Sequence, residues 1–220
     1  MKVVIIDYGL CNLLSVHNAL RHCGVDAVIA ADPAALSDAD GVILPGVGAF
    51  EDGMSGLRQR GFMEALGTYV PTGRPLLGIC LGMQLLMERS CEFGVHDGLG
   101  LIKGEVRPVD HIAVDGGILK IPHIGWNGLR RASRDWEGSL LTGLPEAVEM
   151  YFVHSFRVVP QEASHILAET EYGGKRFCSV VARENIWGCQ FHPEKSSAMG
   201  LKLLNNFVCH VRKGLTHGAV

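Results

Sequence analysis

The pentapeptide Gly78-Ile79-Cys80-Leu81-Gly82, set directly after the apolar run Pro75-Leu76-Leu77, constrains the fold more than any other stretch of the chain. A side chain is lifted into a cleft at a strand end when the backbone turns sharply into a helix, and the crowding of main-chain atoms in that turn demands glycine on both sides. The pattern predicts a strand ending near Ile79, an exposed and strained Cys80 thiol, and a helix over residues 83–89. A lone cysteine is more often a buried structural residue. The reading of Cys80 as a nucleophile therefore depends on what the rest of the chain offers it.

Short continuous apolar runs alternate with helical patterns in the first half, as in strands buried on both faces of a parallel sheet. Strands are predicted over 3–6, 25–30, 41–44 and 75–79, with helices over 12–20 and 54–69. From about Leu101 the segments shorten and alternate. This predicts antiparallel strands over 102–109, 117–121, 149–153, 165–171, 177–182 and 186–191, then an amphipathic helix over 201–211. The expected fold is α/β: a central, mostly parallel sheet flanked by helices, with a smaller antiparallel β layer in the second half. Residues 1–220 read as a single domain, because no repeat, low-complexity stretch or linker interrupts them.

A formal net charge of -3 without Lys/Arg clusters argues against nucleic acid or an anionic membrane as partner. No apolar run reaches the roughly 18 residues of a membrane span. Seven cysteines with no C-x-x-C pair suit a reducing compartment, so a cytoplasmic protein acting on a small molecule or another protein is expected. The scattered histidines and cysteines lack metal-ligand spacing, and no metal is expected. Gly46-Val47-Gly48 lacks the third glycine of a dinucleotide fingerprint, since position 51 is Glu. Gly173-Gly174-Lys175-Arg176 likewise fails as a phosphate loop, and no cofactor is expected.

A thiol that attacks an amide needs a base, a group that orients the base, and donors for the oxyanion. His192-Pro193-Glu194 follows the apolar strand 186–191 and supplies the first two, with His192 as base and Glu194 as orienter. The oxyanion donors are expected to be backbone amides, one from Leu81 and one from the glycine-rich loop around Val47 and Gly48.

Taken in order, Pro45-Gly46-Val47-Gly48, Gly78-Ile79-Cys80-Leu81-Gly82-Met83-Gln84 and Gln190-Phe191-His192-Pro193-Glu194-Lys195-Ser196 resemble the class I glutamine amidotransferases. Asp7-Tyr8-Gly9, Pro122-His123-Ile124-Gly125-Trp126-Asn127 and Tyr151-Phe152-Val153-His154-Ser155-Phe156 are similar to stretches of the glutaminase subunits that serve imidazole glycerol phosphate synthases. The resemblance implies that Cys80 attacks the side-chain amide of glutamine, that His192 shuttles protons, and that ammonia and glutamate are released. It implies glutamine binding by Gly48, Gln84, Glu92 and the Ser155 segment. A (β/α)8-barrel cyclase is implied as heterodimer partner, with Asn12, Trp126, Asn127 and Lys195 at or near the interface. It further implies a glutaminase that is nearly silent until the partner is loaded, because a loop amide near Val47 points the wrong way. Cys11 stands where these subunits carry a glycine, and its β-carbon disfavours a left-handed turn there. Two other readings stay open at this point: a paralogue feeding ammonia to amidino-sugar synthesis, and a cysteine-elbow redox sensor or chaperone.

Overall fold

The computed structural model describes residues 1–132 and 134–217. Its first half follows the expected alternation: β1 (Val3–Ile6), α1 (Leu13–His22), β2 (Val28–Ala30), β3 (Gly41–Gly46), α2 (Phe50–Gln59), α3 (Phe62–Tyr69), β4 (Leu76–Cys80) and α4 (Leu81–Leu85). There follow β5 (Met87–Ser90), β6 (His96–Asp97), β7 (Ile102–Pro108), β8 (His123–Arg131), β9 (Glu149–His154) and β10 (Phe156–Pro160). The last elements are β11 (Ile166–Tyr172), β12 (Lys175–Arg183), β13 (Ile186–Cys189) and α5 (Ser197–His217).

Nine strands form one sheet in the order β2-β1-β3-β4-β13-β12-β11-β8-β9, parallel from β2 to β13 and antiparallel beyond it. The remaining four form a small second sheet, β10-β7-β5-β6. Most of the antiparallel strands thus extend the central sheet, and the separate layer is smaller than the sequence suggests.

Alternation along β1 sends Val3 and Ile5 to one face and Val4 and Ile6 to the other. The first pair packs with Val16 and Leu20 of α1 and Leu203 and Phe207 of α5. The second packs with Met54, Phe62 and Leu66 of α2 and α3 and with Ile102 and Val106 of the small sheet. The parallel core strands are therefore apolar throughout, which is why they were legible as unbroken runs.

Three expectations fail. The helix expected over 83–89 stops at Leu85, and Met87 onward is β5. Leu86 O instead accepts hydrogen bonds from Leu101 and Ile102 N, so pairing with the small sheet overrides helical propensity. The helix expected over 54–69 begins at Phe50 and breaks at Gly61, whose φ of 74° is left-handed. The strand expected over 117–121 is reduced to a single bridge, Ile112 with Ile118. The sequence pattern also misses β8 and β10. Two glycines interrupt the alternation of His123–Arg131, and Pro160 closes a five-residue edge strand.

Candidate active site

β4 passes into α4 without a loop. Cys80 ends the strand and caps the helix at φ 54°, ψ -110°, a conformation costly for any residue with a β-carbon. The glycine requirement is steric: a β-carbon on Gly78 would lie 2.7 Å from Gly82 O, and one on Gly82 would lie 1.8 Å from Leu44 O. The thiol differs from expectation in one respect. Cys80 is only 6% exposed, because Val153, His154, Ser155 and Phe156 at the junction of β9 and β10 roof the elbow and enclose a cavity of about 320 Å³.

The candidate base arrives on the neighbouring strand. β13 runs parallel to β4 with Cys189 beside Ile79, so the chain leaving β13 delivers His192 to the cavity wall. His192 Nδ1 lies 2.8 Å from Glu194 Oε1, with the two side chains 3% and 1% exposed. The backbone of His192 is fixed as tightly. Its N donates to Tyr151 O (2.9 Å), its O accepts from Ser196 Oγ (2.6 Å), and Ser196 Oγ accepts from Tyr151 N (3.0 Å). Burial pushes the imidazole towards neutrality, but the Cys80 sulfur and the Glu194 carboxylate outweigh it and hold the ring up at about 10. Nε2 is buried with no formed hydrogen bond among the described residues.

The opposite wall comes from β3. Gly46 pairs in register with Cys80, which sets Val47 and Gly48 beside the nucleophile. Val47 N, however, donates to Leu10 O at 2.9 Å and so faces away from the cavity. Gly48 has φ 107°, with nothing within 4 Å of the place a β-carbon would occupy. Leu81 N, the first amide of α4, has no intrahelical acceptor by virtue of its position. Cys11 is not in a left-handed conformation and carries no strain. Its Sγ reaches Pro45 O at 3.4 Å, tying the N-terminal loop to the end of β3.

Gln84 and Glu92 are buried, not on a solvated helix face. Gln84 Nε2 donates to Phe156 O and to Gln190 Oε1, both at 3.1 Å. Glu92 Oε2 accepts from Phe50 N at 2.7 Å and so caps α2, whose own cap residue, Ala49, supplies no side-chain acceptor. Of the residues singled out from the sequence, Cys80, His192, Val47, Gly48, Leu81, Gln84, Glu92 and Ser155 all line the one cavity, with Glu194 behind His192.

The four residues assigned to an interface lie outside the cavity and behave differently. Asn12 and Lys195 are exposed. Trp126 is 46% exposed, with its indole against the Tyr151 ring at 5.8 Å. Asn127 instead turns inward: Oδ1 lies 2.8 Å from His123 Nε2, and Nδ2 donates to Glu171 O. His123 Nδ1 in turn meets His154 Nε2 at 3.0 Å, and His154 Nδ1 meets Phe156 O at 2.8 Å. Burial pushes His154 down to about 3 and also lowers His123. Sequence reasoning missed His154 and Gln190 as parts of the site. Gln190 was accessible, since it shares His192's face of an extended segment. His154 had no local signal. A larger hollow of about 530 Å³ between α3 and the turn at Pro33–Leu36 is lined by neither a cysteine nor a histidine.

The geometry has a counterpart among known proteins. Residues 4–211 match the family model described as glutamine amidotransferase class-I. The chain is 47% identical over 209 residues to "Imidazole glycerol phosphate synthase subunit HisH 1" of Legionella pneumophila (strain Lens), covering 94% of this chain and 98% of the relative. This chain belongs to the class-I glutamine amidotransferases, as a HisH-type member. The HisH subunit of Aquifex aeolicus is likewise 47% identical, over 94% of this chain and 96% of its own. Among solved structures, a chain of PurLQS from Thermotoga maritima superposes with a TM-score of 0.71 at 18% identity, covering 94% of this chain and 97% of that one. The glutaminase domain of Trypanosoma brucei CTPS gives 0.66 at 19%, over 97% and 94%. These two share the fold of the amidotransferase.

Proposed function

We propose that this HisH-type amidotransferase is the glutaminase subunit of an imidazole glycerol phosphate synthase, working in histidine biosynthesis in the cytoplasm. The observation that carries the reading is that Cys80 and His192, with Glu194 behind the imidazole, meet at one cavity in a chain 47% identical to HisH subunits. Among the described residues no helix is long and apolar enough to cross a membrane.

In the proposed mechanism His192 holds the Cys80 proton at Nε2 as a thiolate–imidazolium pair, and Glu194 at Nδ1 keeps the ring pointed at the sulfur. The thiolate attacks the side-chain carbonyl carbon of glutamine, and Leu81 N and a loop amide at Val47 or Gly48 hold the oxyanion. The C–N bond breaks, His192 returns its proton to the departing nitrogen, and ammonia leaves a glutamyl thioester. Water, deprotonated by His192, hydrolyses the thioester to glutamate and restores the pair. Glu92 suits the ammonium of the substrate, while Gln84 and Ser155 border its path. Val47 N engages Leu10 O in the resting chain, which supports a glutaminase that waits for the loop to turn.

The partner is proposed to be a (β/α)8-barrel cyclase that consumes the ammonia, docked over Asn12, Trp126, Asn127 and Lys195. Leu14, Val47, Ile124 and Trp126 are exposed apolar side chains that such a partner could cover. The sugar-modifying paralogue is not favoured, and a redox sensor has no use for the buried His192 and Glu194 pair. The test is glutamate release from glutamine by the chain alone and with the barrel cyclase, with and without the cyclase's nucleotide substrate. Strong stimulation only in the full mixture is expected. Cys80-dependent hydrolysis with no stimulation would reject the histidine-pathway partner.

A further inference from the structure

Gln190 is fully buried one strand away from the nucleophile, and the mechanism proposed above gives it no task. Its amide orientation can be read from its neighbours. Phe156 O is a main-chain carbonyl and only accepts, so the group 3.1 Å from it must be the Gln84 amide nitrogen. That same nitrogen lies 3.1 Å from the far end of Gln190, which must therefore be the carbonyl oxygen Oε1. The remaining end, the Nε2 amide with its hydrogens, faces Cys80 Sγ at 3.8 Å. A carbonyl thus fixes two glutamines in series and leaves one N–H aimed at the sulfur.

We propose that Gln190 is a further catalytic residue of the glutaminase, an N–H donor that stabilises the Cys80 thiolate while His192 holds the proton and again when hydrolysis of the thioester expels the sulfur. The proposal rests on Cys80 being the nucleophile. In forming the pair the S–H bond breaks and an N–H bond forms at His192 Nε2, so negative charge collects on a sulfur that burial has stripped of water. A buried anion needs a donor, and donation to a charged group is stronger than donation to a neutral one. His192 balances the charge from one side of the sulfur, and Gln190 supplies the hydrogen bond from another. The other titratable groups around Cys80 are Tyr8 after β1, Cys189 on β13 and Glu194 behind His192, with His154 and Glu92 on the cavity wall. Tyr8 and Cys189 are both held in their neutral forms by burial.

The test is the pH dependence of Cys80 alkylation by iodoacetamide in the full-length chain, followed by mass spectrometry of the Cys80 peptide because the chain has seven cysteines. Gln190→Met removes the donor at constant length. Gln190→Glu keeps an acceptor for Gln84 and places an oxygen against the sulfur. Removing a donor to a charged group is expected to move the Gln190→Met profile up by about one pH unit, a loss of about tenfold in rate at neutral pH. Gln190→Glu is expected to move it further. If Gln190→Met does not fold, Gln190→Leu, which also lacks a donor and adds no charge, takes its place. A profile that stays in place in the folded variants, even with glutaminase activity reduced equally at every pH, would make Gln190 a packing residue and overturn the proposal. Glutamate release by the wild-type chain that persists in Cys80→Ser would instead reject the underlying reading of the nucleophile.

Discussion

On one side of the cavity His192 is held through its ring by Glu194 and through its backbone by Tyr151 and Ser196, with the His192 and Glu194 side chains 3% and 1% exposed. On the other, Val47 is 40% exposed, its amide bonded to Leu10 O, and Gly48 stands in open space in a glycine conformation. The first side is ready for chemistry as it stands. In the proposed mechanism the second lacks a donor that a rotation of the Val47 peptide would supply. The contrast teaches where control is cheap: moving the triad would disrupt several buried hydrogen bonds and the packing of the central sheet, whereas turning the loop breaks one hydrogen bond worth about 1 kcal/mol.

The comparison can be broken most severely from the built side. Cys80→Ser is expected to lower glutamate release by at least about 10³-fold in kcat, read in the partner-stimulated assay. The variant should unfold at the same temperature as the wild type, because the two side chains fill the same space. Freezing the other side comes next. Gly48→Pro removes the left-handed option and should cut stimulated turnover about 10²-fold, the effect of a lost oxyanion donor. Full stimulation in this variant would remove the loop from the mechanism.

Two smaller effects sharpen the boundary between the walls. Because burial lowers His154 to about 3, the folded ring stays neutral while its unfolded counterpart takes up a proton near pH 6.5. The unfolded state therefore binds more protons between those limits, and stability should fall with pH from about 6.5 towards 3 by up to about 1.4 kcal/mol per unit. Melting temperatures from pH 8 to 4 should show a shallower acid decline in His154→Asn, which keeps an N–H for Phe156 O. Trp126→Ala is expected to weaken association with the proposed barrel cyclase by about 2 kcal/mol, measured by calorimetry, with little change in the melting of the free chain.

The parallel half of the fold was readable because β1, β3 and β4 are buried on both faces and so carry no polar interruptions. The elbow was readable because Gly78 and Gly82 touch backbone where no β-carbon fits. What escaped depends on distant partners. Residues 87–90 continue a helix-forming stretch, yet join β7 because the ladder offers their carbonyls and amides more than another helical turn. The burial of Cys80, the inward turn of Asn127 and the place of His154 all follow from how β8, β9 and β10 fold over the elbow. No local spacing encodes that roof. The direction of the Val47 amide is likewise set by Leu10, thirty-odd residues earlier in the chain.

The closed set of bonds among Tyr151, Ser196 and His192 has a mechanical consequence. Tyr151 carries the exposed Trp126 on its ring and the base on its carbonyl, so a load applied to the indole is borne by the same peptide that aims the imidazole. Rim and base form one stiff part, and the Val47 loop is a separate hinged one. A body seated across both would feel a fixed fulcrum on one side and a movable latch on the other.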